Sequence, residues 1–127
     1  MILIITNNPK TADFVTNHYP AETLSGIRLL FCPLREAVYT QVRSYIHRNW
    51  RLLNHAMYGN IQLHKQPYRS MLLTESVGLD IVSLQLWEQA MERVSRSSIP
   101  PYADHVLEDF QELDFMLFKN TLTEQPA

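Results

Sequence analysis

Three polar residues suited to binding a ligand follow the first apolar segment of the chain. Residues 2–5 form a continuous apolar run, typical of a strand covered on both faces, and Thr6, Asn7 and Asn8 come directly after it. In a parallel α/β sheet, ligands bind outside the carboxyl ends of strands, where helix N-termini point free amides at negative charge. These three residues are therefore candidate ligand-binding residues. The same residue types also form turns and helix N-caps without a ligand, and the two interpretations are compatible.

A second group of candidates lies in the long polar stretch from residue 54 to residue 69. His55 is the best candidate for a catalytic or anion-binding side chain, since histidine titrates near neutral pH and serves as a general acid or base. If the predicted strand at residues 51–53 lies beside the first strand, Asn54 and His55 emerge next to Asn7. A lone loop histidine is also a common structural residue, and that alternative stays open. The candidate ligand-binding residues of this stretch are Asn54, His55, Gly59, Tyr68 and Arg69.

Positive charge is concentrated in the middle of the chain. Residues 37–74 carry no acid and five bases, whereas residues 75–127 carry ten acids and three bases, although the formal net charge is only −2. Arginine outnumbers lysine eight to three, and the planar guanidinium fork suits carboxylate and phosphate. The polar stretch therefore lies in the segment that favours an anion. Two other interpretations stay open: the acidic last helix neutralises the basic segment, or both are ordinary solvated faces.

Several classes of site are excluded or weakly supported by composition. The three glycines stand alone, so no glycine-rich dinucleotide or triphosphate loop can be written. The chain has no cysteine pair and no H-E-x-x-H motif, and His105 with Asp109 suits a surface pair on one helix as well as two metal ligands. No nucleophile elbow G-x-S-x-G is present. The sequence therefore predicts neither a metal nor a cofactor.

The cysteine content and the hydropathy pattern bear on location. The single cysteine, Cys32, ends an apolar run and is predicted to be a buried, inert thiol. One cysteine and no recognisable leader indicate a reducing, cytoplasmic location. No segment approaches the roughly 20 apolar residues of a membrane span, so no membrane partner is expected.

A nucleic-acid partner is not expected either. The helix and strand around residues 43–51 interleave cations with aromatic rings that can stack on bases. However, the isoelectric point near 6.2 is far from that of a dedicated nucleic-acid-binding domain. The expected partners are a small anionic ligand, and a protein partner or a second copy bound through the apolar C-terminal helix.

The order of strand-like and helix-like segments predicts an α/β fold. Continuous apolar runs alternate with helical periodicity, which favours a small, mainly parallel sheet with flanking helices in Rossmann-like or flavodoxin-like layering. Residues 1–127 are predicted to form a single domain, with an appended helix at 102–120 and a frayed tail at 121–127. The predicted strands are 2–5, 27–32 and 51–53, with a further strand at 70–74, and the predicted helices begin near residues 9, 34, 80 and 103.

Several short blocks, in the right order, resemble the GrdX family of small proteins encoded with glycine, sarcosine and betaine reductase systems. The resemblance covers roughly residues 1–97. It departs from the family at Asn49 and Trp50, where the resemblance leads us to expect glycine and histidine, and around His55. The blocks are Thr6-Asn7-Asn8-Pro9, Val42-Arg43, Tyr45-Ile46-His47-Arg48, Leu52-Leu53, His55, Gly59, Pro67-Tyr68 and Ser70.

The resemblance implies an accessory role beside amino-acid reductase chemistry, without a defined reaction or catalytic residue. It brings no selenocysteine or redox cysteine pair, so the chain is not expected to perform the reductase's redox step. We expect a non-redox protein with an anion site between the turn at Asn7 and Asn8 and the stretch from His55 to Arg69. Two alternatives remain: a small enzyme using His55 on a carboxylate- or phosphate-bearing metabolite, and a protein interaction module.

Overall fold

The computed structural model describes residues 1–19, 25–54, 65–96 and 98–125, which form four strands and four helices. Each apolar run predicted as a strand is one, and each periodic segment predicted as a helix is one. In chain order the elements are β1 (Ile2–Thr6), α1 (Pro9–His18), β2 (Ile27–Phe31), α2 (Arg35–His47), β3 (Trp50–Leu52), β4 (Ser70–Glu75), α3 (Ile81–Ser95) and α4 (Asp104–Thr123).

The strands form one mixed sheet in the order β2-β1-β4-β3. β1 pairs in parallel with β2, whereas β4 lies antiparallel to both β1 and β3. The prediction of a mainly parallel sheet is therefore wrong. A parallel connection usually needs a crossover helix, and the sequence between β3 and β4 lacks helical periodicity, so β4 enters the sheet in the opposite direction.

Helices cover the two faces of the sheet, and each face has its own apolar cluster. Alternate strand residues point to opposite faces, so Leu3 and Leu73 pack against α2 and α3, whereas Ile4 and Leu72 pack against α1 and α4. On the first face, Trp87 stacks on Tyr39 at 4.9 Å between ring centroids and donates its indole N–H to the Tyr39 carbonyl at 2.8 Å. This layering confirms an α/β architecture.

Cys32 lies in the same apolar cluster as Trp87 and is buried. Burial raises the pKa of the Cys32 thiol, because desolvation disfavours the thiolate. The nucleophilic form of the side chain is therefore disfavoured, in agreement with the predicted inert thiol.

The C-terminal helix extends further than the sequence pattern predicts. α4 continues to Thr123 rather than ending at residue 120, and Leu122 is buried in the cluster with Phe118 and Val15. Within the described ranges, no helix has both the length and the hydropathy required to cross a bilayer.

Asn49, which follows the last turn of α2, has a positive φ of 70°. Its carbonyl accepts a hydrogen bond from the Ser76 amide at 2.7 Å, so this residue also starts the pairing of β3 with β4. Asparagine is among the few residues besides glycine that tolerate the left-handed region. The structure thus explains why asparagine can stand where the resemblance leads us to expect glycine.

Replacing Asn49 with valine is expected to lower the free energy of unfolding by about 1–2 kcal/mol, since a β-branched side chain is strained at positive φ. The Asn49→Gly variant is expected to stay within about 1 kcal/mol of the parent chain. Urea unfolding followed by tryptophan fluorescence measures both changes. Asn120→Val, at an exposed helical position, is the matched control, and an equal loss in both valine variants would contradict the backbone argument.

Candidate functional site

A buried polar cluster lies where β1 ends and β4 begins, on the face covered by α1 and α4. Thr6 and Ser70 are direct partners across the β1–β4 ladder, and their hydroxyl oxygens lie 2.8 Å apart. The strand alternation that directs Ile4 and Leu72 toward α4 directs these two hydroxyls to the same side. The cluster therefore lies at the end of the apolar layer that contains Ile4 and Leu72.

Ser70 is the centre of the cluster. The Ser70 hydroxyl donates to the Asp114 carboxylate at 2.6 Å. The Thr11 hydroxyl lies 2.8 Å from the hydroxyl oxygen of Ser70. Because a hydroxyl has one proton, Ser70 accepts from both Thr6 and Thr11 while it donates to Asp114. Thr6 in turn accepts the backbone N–H of Asn8 at 2.9 Å. The direction of each hydrogen bond in the cluster is therefore determined.

Asp114 connects α4 to the rest of this cluster. Its carboxylate also accepts the Ser70 backbone N–H at 3.1 Å and the Asn8 side-chain N–H at 2.9 Å. The N-terminus of α1 starts beside it, and the partial positive charge of a helix N-terminus favours a carboxylate at that place. Asp114 is 6% exposed, and Thr6, Asn8, Thr11 and Ser70 are 0% exposed.

The side chains of Asn7 and Asn8 bind the protein's own backbone. Asn7 donates to the Pro67 carbonyl at 2.8 Å and accepts the Arg69 N–H at 2.9 Å. Asn8 is the N-cap of α1, accepts the Lys10 N–H at 3.1 Å and donates to the Gln111 carbonyl at 2.9 Å. Both residues thus show the turn and capping interactions that the sequence left open.

Asn54 extends the pairing between β3 and β4 by one step. The side-chain N–H of Asn54 donates to the Ser70 carbonyl at 2.9 Å, and the side-chain oxygen accepts the Leu72 N–H at 2.8 Å. The side-chain amide thus takes the place that the backbone of a strand residue would occupy. The sequence placed Asn54 near Asn7 on the assumption that β3 lies beside β1. That assumption is wrong, because β4 separates the two strands. β3 nevertheless runs in the same direction as β1, so Asn54 still reaches the edge of the sheet where Asn7 lies.

Two arginines lie buried at the same edge and meet at one residue. The Arg69 guanidinium donates to the Gln66 side chain, and Arg35, the first residue of α2, donates to the Gln66 carbonyl at 3.5 Å. Arg69 is 1% exposed and Arg35 is 6% exposed. Burial of two cations is costly unless anionic or hydrogen-bonding groups surround them. Arg35 also forms an ion pair with the exposed Glu36 at 3.4 Å.

The space beside this arginine pair is small. A cavity of about 10 Å³, enough for about one water molecule, lies between α4 and the segment before β4. Tyr68 lines it and accepts the Gln111 side-chain N–H at 2.9 Å. Within the described ranges, no cluster of three or more histidine, cysteine or acidic side chains offers a metal site.

The structure thus brings most of the sequence-predicted residues together at one edge of the sheet. His55 and Gly59 lie outside the described residues, so the predicted role of His55 stays a prediction. The predicted residues that meet here are Thr6, Asn7, Asn8, Asn54, Tyr68 and Arg69.

Sequence reasoning missed Asp114 and Arg35 as members of this region. Asp114 looked like one of many acids on a solvated helix, but it stands four residues from both Phe110 and Phe118. An acid at helical spacing between two large apolar residues was the available signal. Arg35 offered no comparable signal, because its burial depends on how α2 packs against the segment before β4.

Comparison with known proteins gives one positive result. No curated protein matches the chain, and no solved structure matches it. The sequence profile described as "GrdX-like protein" matches residues 3–123, which include α4 as well as the blocks quoted above. The chain therefore belongs to the GrdX-like protein family.

Proposed function

We propose that this chain is a cytoplasmic accessory protein of amino-acid reductase systems and that it binds a small anion without performing redox chemistry. The family membership supports the association with glycine, sarcosine or betaine reductases. The single cysteine supports a non-redox role, since it is buried and its raised pKa disfavours the reactive thiolate. The accessory role and the anion site are separate parts of the proposal.

The observation that carries the anion site is the meeting of Arg35 and Arg69 at Gln66. Two guanidinium groups present planar forks that match the geometry of carboxylate and phosphate oxygens. The acid-free sequence from residue 37 to residue 74 contributes no carboxylate of its own to this edge. The two guanidinium groups are the groups at this edge that attract a negative ligand, beside the Asp114 carboxylate that lines the cavity next to Arg69 and the exposed Glu36 that pairs with Arg35.

The N-terminus of α2 adds to the same preference. Its N-cap, Leu34, makes no side-chain hydrogen bond to the first amides of the helix, and Leu34 itself is exposed. Uncapped amides and the helix dipole attract anions. The described cavity near Arg69 is water-sized, so we infer that the ligand meets the arginine pair through a small anionic end, such as the carboxylate of an amino acid, without entering that cavity.

A thermal shift experiment tests this site. Acetate, phosphate and glycine are each expected to raise the Tm of the parent chain above its value in chloride at equal ionic strength. Arg35→Lys keeps the charge but removes the fork, and it is expected to weaken anion binding at least roughly tenfold, since hydrogen bonds to charged groups contribute about 1.5–3 kcal/mol.

Arg43→Gln is the matched control, because Arg43 lies on α2 but pairs with Glu88 on the surface at 2.6 Å. Its response to anions is expected to equal that of the parent chain. Equal anion responses in the parent chain and in Arg35→Lys would refute the site. No response to any anion in the parent chain would do the same.

A further inference from the structure

A larger groove lies at the opposite edge of the sheet from the arginine pair. It has a volume of about 730 Å³ and opens at the amino end of β1, on the face that α1 and α4 cover. Ile2, Ile27 and Leu53 form apolar parts of its wall, and Leu122 from the end of α4 adds another. This volume is within the range of about 300–1,000 Å³ that is typical of small-molecule sites.

Among the described residues that line this groove, the charged side chain is positive. Arg51 contributes a guanidinium from β3, and none of these lining residues is acidic. In the described part of the chain, the Arg51 side chain forms neither an ion pair nor a hydrogen bond. Arg51 is exposed, so its fork is accessible from the groove. Tyr19 and Thr74 add polar groups to the lining.

We propose that this groove is a second ligand site, distinct from the arginine pair, that takes a monocarboxylate with an apolar chain or ring. One guanidinium matches the single charge and the two oxygens of a carboxylate. The apolar walls match the remainder of such a molecule. The Met1 ammonium also lines the groove but pairs with Glu75 at 3.7 Å, so Arg51 is the described cation that remains for a ligand. A single guanidinium suits a monocarboxylate better than a doubly charged phosphate, and a neutral apolar molecule would make no use of Arg51.

The site is independent of the proposed anion site. Arg51 and Thr74 lie at the edge where β4 ends, whereas Arg69 precedes the first residue of β4. The length of β4 therefore separates the two regions. A variant that disturbs one of them is expected to leave the other intact, and the failure of either proposal is detected separately.

Calorimetric titration with octanoate and octanol tests the proposal. The two probes have the same apolar chain, and we expect the parent chain to bind octanoate more tightly than octanol. Arg51→Gln is expected to weaken octanoate binding roughly tenfold and to leave octanol binding unchanged, because it removes the charged fork alone. Thr123→Trp, at an exposed position on the groove wall, is expected to weaken both by filling the space.

Arg28→Gln is the control for octanoate binding. Arg28 is exposed on β2 and aligns with Leu3 of the other face, so its replacement is expected to have no effect. Equal octanoate affinity in the parent chain and Arg51→Gln would overturn the proposal. The absence of octanoate binding to the parent chain, or an equal loss in Arg28→Gln, would overturn it as well.

Discussion

Replacement of Asp114 with alanine is expected to lower the free energy of unfolding by about 3–5 kcal/mol, which is a large part of the stability of a small domain. The change leaves the Ser70 hydroxyl, the Ser70 amide and the Asn8 side chain without their common acceptor in a buried site. Each unsatisfied buried donor costs about 1–3 kcal/mol. Urea unfolding, followed by tryptophan fluorescence, measures the loss.

Two further variants separate the buried acceptor from the general acidity of α4. Asp109→Ala removes an exposed acid from the same helix and is expected to change stability by no more than about 0.5 kcal/mol. Asp114→Asn keeps the size and one carbonyl acceptor, so its loss is expected to lie between those of the two alanine variants. If Asp114→Ala is as stable as Asp109→Ala, the cluster does not fasten α4 to the sheet.

The sequence was sufficient to predict the strands and helices but not the direction of β4 in the sheet. The apolar run at residues 71–73 indicates a strand because its periodicity is local. Its direction depends on pairing with β1, more than 60 residues earlier, as in the pair of Thr6 with Ser70. Periodicity does not report strand direction, and the prior for alternating strands and helices favoured a parallel sheet.

The candidate site shows a similar division between local and distant information. Asn8 is a helix N-cap, and its role follows from the neighbouring Pro9 and the start of α1. Asn54 was predicted as a ligand-binding residue, but its side-chain amide completes the ladder to β4, and this role requires the sheet order to be known. The convergence of Arg35 and Arg69 likewise depends on tertiary packing, because 33 residues separate them in the sequence.

Phe118→Ala is expected to lower the free energy of unfolding by about 3–5 kcal/mol, the typical loss when a buried aromatic side chain leaves a cavity. Phe118 is 0% exposed and packs in the apolar cluster between the sheet and the helices α1 and α4. The centroid of its ring lies 6.3 Å from that of Phe14. Removing it is expected to loosen α4 and to expose the apolar residues of β1 and β4. Urea unfolding measures the loss, and light scattering detects aggregation of the loosened chain.

Met116→Ala is the matched control, because Met116 lies on the same helix and is 54% exposed. As an isolated surface side chain it is expected to change stability by no more than about 0.5 kcal/mol. The comparison also tests whether α4 serves as a partner surface, since the apolar C-terminal helix, which carries both residues, is predicted to bind a protein partner or a second copy. If Phe118→Ala changes the oligomeric state without changing stability, Phe118 lies in an interface rather than in the core of one chain. A large loss of stability that does not depend on protein concentration places Phe118 in the core and leaves Met116, of the two, as the position to test for binding.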